Sequence, residues 1–298
     1  MNDDATASTI LARLESALAA PARDYVPLRV GSATVGWLDA DRAARVGQFA
    51  GVFTADGEGV AFVPALRDSA SRSAALADVT ATLAAEGALT PWRNELYAVA
   101  PTFGGAPWFL VERAAARYFG VHTWAAHING VVRGASATTM WLARRSADKA
   151  INPGKLDNLV GGGVAAGASI RETLIKEAWE EAGIPARVAT RAVPADTVHI
   201  WREQPDGLQS ETIYVHDLWL ASDFVPANQD GEASDHRLVS LPEVARLIGL
   251  AGGPDEVTAD ASLVVLDFLL RHGAIPPASR SRPALQRWLH PQAAARRA

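Results

Sequence analysis

The feature that most constrains the fold is a run of three glycines placed shortly before a helix-like segment. The glycines occupy residues 161–163, and the apolar spacing after them predicts a helix over residues 169–182, stopped by Gly183. Glycine has no Cβ atom, so its backbone can approach a ligand or another element closely. We therefore expect a glycine-rich loop that leads into this helix.

Three glutamates share one face of that predicted helix. Glu177, Glu180 and Glu181 stand at positions i, i+3 and i+4, which places them within one turn. Like charges at these spacings cost an isolated helix roughly 0.2–0.5 kcal/mol per pair. A divalent cation would offset that cost, and carboxylate oxygens suit Mg²⁺ or Mn²⁺. The alternative is a solvated acidic face without a metal.

This combination resembles the signature of the Nudix hydrolases, in which glycine and glutamate positions have fixed spacing. The residues in register with it are Gly162, Glu177, Glu180, Glu181, Gly183 and Ile184. Two positions depart from it, since Ala168 replaces a glutamate and Lys176 replaces an arginine. A lysine lacks the guanidinium fork and orients a glutamate less strictly. The missing carboxylate leaves the number of metal ions open.

The amino-acid composition excludes several kinds of site and partner. The 298-residue chain has no cysteine, which excludes disulfides, thiol catalysis and zinc–thiolate sites. Its net charge of -5 gives no general attraction to nucleic acid or membrane, so neither is an expected partner, and a bound anion needs a local cluster. The acidic start from Met1 to Asp4 is unlike a secretory signal and no long apolar run occurs, so a cytoplasmic protein is expected.

We expect an α+β protein with a soft boundary near residue 120. Residues 1–120 form a small α+β domain, and residues 121–298 form a Nudix α/β/α sandwich with a mixed sheet, as the resemblance implies. In the first part, strands are predicted at 33–38, 59–63 and 95–99, and helices at 73–86 and 108–118.

The second part begins with a predicted hairpin. Asn129-Gly130 is a strong two-residue turn signal between strand-like residues 123–128 and 131–133. Further strands are predicted at 138–145, 196–201 and 211–220, and helices at 241–250 and 259–272.

A narrower resemblance covers most of the chain. Matching segments lie at 92–97, 112–113, 119–122, 141–146, 149, 153–158, the glycine and glutamate signature itself, 230–232 and 267–273. Together they resemble the thiamine-pyrophosphokinase-related Nudix hydrolases, which carry an N-terminal DUF4743-type domain. That resemblance implies hydrolysis of thiamine diphosphate, or of its oxidised forms, to the monophosphate. Kinase activity is not expected, because the chain ends shortly after His272.

Roles follow from what diphosphate hydrolysis needs: a metal, a base or oriented water, and cations that hold phosphate. Glu177 and Glu181 are predicted catalytic metal ligands, with Glu180 as a further ligand. By analogy with Nudix enzymes, Glu232 is a general base or ligand, or else an exposed loop acid. The predicted substrate-binding residues are Arg144, Arg145, Lys149, Lys155, Gly162 and Gly163, with Trp201 and Tyr214 for ring stacking.

Alternatives stay open at this point. A Nudix hydrolase of another diphosphate, such as ADP-ribose or a nucleoside diphosphate derivative, fits the same residues. An isoprenoid isomerase of this fold is disfavoured because its chemistry uses cysteine. Ala168 and Lys176 also suit a ligand-binding module without catalysis. The partner is a small diphosphate molecule, and a homodimer is compatible with the sequence.

Overall fold

The computed structural model describes residues 3–135 and 137–289, so Met1 and Asn2 of the acidic start lie outside it. The strands are β1 Tyr25–Val30, β2 Ala33–Asp39, β3 Phe53–Asp56, β4 Gly59–Phe62, β5 Leu96–Val99, β6 Phe109–Glu112, β7 His122–Arg133, β8 Thr138–Arg145, β9 Leu156–Asn158, β10 Val160–Gly163, β11 Val193–Gln204, β12 Gly207–Leu220 and β13 Ala233–Ser240. The helices are α1 Asp3–Ala17, α2 Ala40–Gly47, α3 Ser69–Ala85, α4 Ile170–Ala182, α5 Ala186–Ala189, α6 Leu241–Ile248, α7 Ala259–Arg271 and α8 Arg282–Leu289, with one 3-10 turn at Arg113–Ala115. Helices and mixed sheets confirm the predicted fold class.

The N-terminal unit combines a four-stranded sheet with a separate hairpin. The sheet has the order β2-β1-β4-β3, and β5 pairs antiparallel with β6. Its core is aromatic and aliphatic, and includes the fully buried Phe53, Phe109 and Phe119. This core holds the hairpin and the sheet together, since Phe109 belongs to β6 and Phe53 to β3.

The helix predicted over residues 108–118 is wrong. That segment begins with β6, in which Phe109 and Val111 point into the core while Leu110 between them is only partly buried. Alternation with a period of two is a strand pattern. The side chain of Glu112 then accepts a hydrogen bond from Ala114 N at 3.3 Å, where the 3-10 turn begins.

The second unit is built on a seven-stranded mixed sheet. Its main order is β11-β12-β7-β8-β13, with β10 paired to β7 and β9 paired to β8. Strands β7 and β12 run parallel over eleven residue pairs, from Ser210 opposite His122 to Leu220 opposite Val132, and the other pairs are antiparallel. The mixed sheet confirms the prediction.

The hairpin predicted at Asn129-Gly130 is also wrong, because both residues lie inside the continuous strand β7. Asn129 Nδ2 donates to Asp217 Oδ1 on the neighbouring β12 at 3.1 Å. A Cβ atom on Gly130 would lie 2.1 Å from Leu159 Cδ2. The pair therefore serves packing and a cross-strand hydrogen bond rather than a turn.

Helices cover both faces of this sheet. Helix α4 packs against one face, in a core that contains Ile128, Leu174 and Ala178. Helices α1, α6, α7 and α8 share a core with the other face, which buries Leu14 and Leu285 completely. The first helix of the chain thus packs beside the last ones. No helix in the described ranges is long and apolar enough to span a bilayer.

Candidate active site

The three glycines form strand β10 rather than the predicted loop, and this strand lies directly under α4. A Cβ atom on Gly162 would lie 2.4 Å from Glu177 Cδ. Gly161 N donates to Glu181 Oε2 at 2.8 Å. The absence of a side chain at Gly162 therefore lets the glutamate face of α4 approach the sheet.

The ends of α4 fix which face it presents. At the start, the side chain of Ser169 accepts from Glu172 N at 3.2 Å, and Glu172 Oε2 accepts from Ser169 N at 2.9 Å. This reciprocal pair is a capping box. At the end, Gly183 adopts φ = +63°, a left-handed conformation that glycine adopts without steric cost.

Two of the helix glutamates are linked by a lysine. Lys176 Nζ donates to Glu177 Oε1 at 3.0 Å and to Glu180 Oε2 at 2.8 Å. The side chain of Glu177 has 13% of its surface exposed, against 36% for that of Glu180. Burial raises the pKa of Glu177 above its ordinary value, although Lys176 acts in the opposite direction.

Glu181 lies in the most acidic surroundings of the three. Burial raises its pKa well above the ordinary range, and the hydrogen bond from Gly161 opposes that shift. The negative charges of Glu177, Asp157 and Glu232 raise it further. Because like charges repel, a cation bound beside Glu181 would oppose this rise of its pKa and stabilise the ionised carboxylate.

Glu232 and Asp157 each have a cationic partner beside Glu181. Glu232 is ion-paired with Lys149, and Arg145 Nη1 donates to Asp157 Oδ2 at 2.9 Å. Burial would raise the pKa of Glu232, but Lys149 outweighs it and the pKa falls. A small cavity of about 20 Å³ is lined by Arg145, Asp157, Glu181 and Glu232.

A larger cavity of about 200 Å³ lies along the glycine strand. It is lined by residues 161–163 together with Arg145 and Asp157, which join it to the small cavity. Arg93 and Arg113 of the N-terminal unit line it as well. We did not predict these two arginines, because both precede the glutamate helix by more than fifty residues in sequence.

The other predicted phosphate-binding residues lie elsewhere. Arg144 Nη1 donates to Gly154 O at 2.7 Å, and its guanidinium also pairs with Asp255. Lys155 pairs with Glu256 at 3.0 Å. Neither residue lines the cavity along the glycine strand, so of the predicted basic cluster the structure brings only Arg145 to it.

The predicted stacking residues line a third cavity, of about 500 Å³. Trp201 and Tyr214 lie there with Trp37 and Phe103 of the N-terminal unit. The rings of Trp37 and Trp201 are 6.0 Å apart and nearly perpendicular. Side chains alternate across a strand, and Tyr214 shares the sheet face that packs against α4, whereas Glu211 of the same strand lines the glycine cavity. The structure therefore does not bring these rings into the glycine cavity.

Comparison with known proteins finds family models that match most of the chain. Residues 123–261 match the NUDIX domain model, and residues 10–123 match a domain of unknown function, DUF4743. The chain is 36% identical over 258 residues to "Nudix hydrolase 24, chloroplastic" of Arabidopsis thaliana, covering 86% of this chain and 70% of that protein. The chain belongs to the Nudix hydrolases. It is also 35% identical over 265 residues to "Nudix hydrolase 20, chloroplastic" of the same plant, with the same coverage.

The chain also resembles solved structures over part of its length. One of them, DR0079 from Deinococcus radiodurans, has 21% sequence identity and a TM-score of 0.41, covering 57% of this chain and 97% of that one. As a Nudix hydrolase, the protein acts on pyrophosphate bonds, and the DUF4743 match agrees with the resemblance drawn from the sequence.

Nudix hydrolases generally use divalent metal ions. Within residues 3–135 and 137–289, no three acidic or histidine side chains converge into a complete metal-binding group. The residues present nevertheless fit a hydrated cation, because Mg²⁺ takes one or two carboxylates and keeps several waters. Glu177 and Glu181, which face the glycine strand, would supply those carboxylates.

Proposed function

We propose that this Nudix hydrolase cleaves the diphosphate of thiamine diphosphate, or of its oxidised forms, to give the monophosphate and phosphate. One observation carries the proposal: the cavity along the glycine strand contains both signs of charge. Arg113 and Arg145 line it, and so do Glu211 and Asp260. A ligand with an anionic diphosphate and a cationic thiazolium ring matches such a cavity, whereas a nucleoside diphosphate has no cationic ring.

In the acidic part of the cavity, two carboxylates lie near a single arginine, Arg202. Glu211 accepts from Thr123 Oγ1 at 3.0 Å, and Asp260 accepts from Arg202 Nη2 at 2.9 Å. Burial and the charge of Asp260 raise the pKa of Glu211. Two carboxylates beside one guanidinium favour a cationic ligand, because it relieves their mutual repulsion.

We assign the reaction to metal-activated water without a covalent intermediate. A bound Mg²⁺ or Mn²⁺ supplies charge neutralisation at the phosphates and lowers the pKa of water. Glu177 and Glu181 would hold the cation. Glu232 is ionised, since Lys149 lowers its pKa, and its carboxylate lies beside Glu181, where it can accept a proton from water. Arg145 binds phosphate oxygens through charge-assisted hydrogen bonds.

The test compares monophosphate formation from thiamine diphosphate, oxidised thiamine diphosphate, ADP-ribose and nucleoside diphosphates, with Mg²⁺ and with Mn²⁺. We expect the thiamine compounds to have the highest kcat/KM, and Glu177→Gln to abolish turnover. Glu211→Gln should lower kcat/KM for thiamine diphosphate more than for ADP-ribose, because only the thiamine ring is cationic. Preference for the nucleotides would refute the substrate assignment and leave the hydrolase intact.

A further inference from the structure

Two arginines of the N-terminal unit lie in the cavity of the Nudix unit. Arg113 follows β6 in the 3-10 turn, and Arg93 lies shortly before β5. Both line the cavity that contains Gly162 and Gly163. The DUF4743 region thus contributes side chains to a cavity that the glycines of the signature also line.

The hairpin that carries these arginines is fixed directly onto the glycine strand. Ala166 N donates to Leu96 O at 2.7 Å. A Cβ atom on Gly163 would lie 1.8 Å from Tyr97 Oη, so Tyr97 occupies the place where any other residue would have a side chain. The position of β5 relative to the signature is therefore set by contact and not only by the linking chain.

Arg113 is positioned by residues of its own unit. Its Nη1 donates to Glu95 Oε2 at 2.7 Å, and its Cζ lies 5.7 Å from the ring centroid of Tyr97. A guanidinium has five N–H donors, and in the described part of the chain Arg113 donates through Nη1. The other donors are available to an anion in the cavity.

The charges of both arginines reach the acids of the Nudix unit. The charge of Arg113 opposes the rise that burial causes in the pKa of Glu177. Arg113 and Arg93 both help to lower the pKa of Glu232. Arg93 and Arg113 are both exposed, so solvent and salt screen the charges of both.

We propose that the N-terminal unit completes the active site, with Arg113 binding the diphosphate of the substrate and Arg93 adding a second contact. This role gives the domain of unknown function a direct part in substrate binding. It rests on the proposed function only in requiring a diphosphate substrate, and the identity of the organic group does not affect it.

The decisive experiment is titration calorimetry of the full chain with inorganic diphosphate in the presence of Mg²⁺. Losing a charge-assisted hydrogen bond typically weakens binding roughly 10- to 100-fold, so we expect Arg113→Gln to raise the Kd by that factor. Arg93→Gln should raise it less. The matched control is Arg45→Gln, which removes another N-terminal arginine, paired with Glu86 away from the cavity, and should leave the Kd unchanged.

Three further measurements test whether Arg113 binds the substrate or has only a structural role. Arg113→Lys should restore part of the affinity because it keeps the charge, which a purely structural role for Arg113 does not predict. With whichever diphosphate the wild-type protein cleaves, Arg113→Gln should raise KM by more than it lowers kcat. Should Arg113→Gln fail to fold, the exposed Arg93→Gln still decides the matter. Equal affinity for diphosphate in the Arg93, Arg113 and Arg45 variants would overturn the proposal, whereas failure to cleave thiamine diphosphate would refute only the substrate assignment.

Discussion

At the scale of single residues, the glycines of β10 are defined by the side chains that face them. Gly162 faces the carboxyl of Glu177, and Gly161 faces the ring of His127, where an added Cβ would lie 2.8 Å from Cε1. The strand therefore presents a surface without side chains, against which Glu177 and His127 pack. A methyl group at either position would displace a neighbour.

Gly162→Ala tests this requirement. The new Cβ would lie 2.4 Å from Glu177 Cδ, so the carboxylate has to move, and a shift of about 1 Å in a positioning group can cost on the order of 100-fold in rate. We expect kcat to fall about 10- to 100-fold in a steady-state assay. Gly51→Ala is the control, because nothing lies within 4 Å of a Cβ there, and turnover should be unchanged. Full activity of Gly162→Ala would contradict the assigned position of Glu177.

The sequence predicted part of the site and could not predict the rest. Glu177 and Glu181 share a helix turn, so their spacing alone predicts that they converge. Arg113 reaches the cavity along the glycine strand only because β5 packs beside β10, a contact between segments far apart in the chain. No local pattern encodes that docking. Proximity in sequence to the glycines therefore favours basic residues such as Lys155 as the predicted phosphate ligands.

At the scale of elements, the caps of α4 determine how firmly its glutamates are held. Ser169 caps the helix through its side chain, whereas Ser240, at the equivalent position of α6, makes no side-chain cap hydrogen bond. The two serines form a matched pair. Because both residues are serines at the start of a helix, a difference between their alanine variants measures the capping hydrogen bond and not the residue type.

Ser169→Ala should destabilise the protein by about 1 kcal/mol, the typical cost of losing an N-cap. Ser240→Ala should change the free energy of unfolding by much less. Urea unfolding of both variants against the wild-type chain measures the difference. Equal losses for the two variants would show that the capping box contributes nothing measurable.

Helices and strands were predicted correctly where a local sequence signal determines them. The prediction failed where contacts with distant segments determine the secondary structure. Helix α4 was predicted within one residue, because Gly183 ends it by its own conformation. Asn129-Gly130 has the composition of a turn, but contacts with β12 and Leu159 hold both residues inside the continuous strand β7. Residues 108–118 look helical by composition, and only the pairing of β6 with β5 shows the strand.

At the scale of the whole molecule, the two ends of the described chain meet. Ser8 Oγ and Ser281 Oγ are 3.0 Å apart, and Ser279 Oγ donates to Asp4 Oδ1 at 2.9 Å. Helix α1 belongs to the core of the second unit, although it precedes the first unit in sequence. The N-terminal sheet is therefore inserted in sequence, but not in space, between α1 and the rest of that core.

Leu14→Ala tests whether α1 is part of that core. Leu14 is fully buried there, and removing a buried leucine side chain typically costs about 2–5 kcal/mol. Leu238→Ala is the control, since Leu238 is 44% exposed and its truncation should cost far less. Chemical denaturation followed by tryptophan fluorescence gives both values, and similar small losses would mean that α1 is only peripherally attached.

The contact between Tyr97 and Gly163 has a consequence for how such chains can evolve. A Nudix unit with any side chain at position 163 cannot accept this tyrosine, and an N-terminal unit that lost the tyrosine would leave a gap over the strand. The two positions should therefore vary together among relatives. Exchange of the N-terminal unit between lineages would then succeed only where the recipient already has glycine at that position.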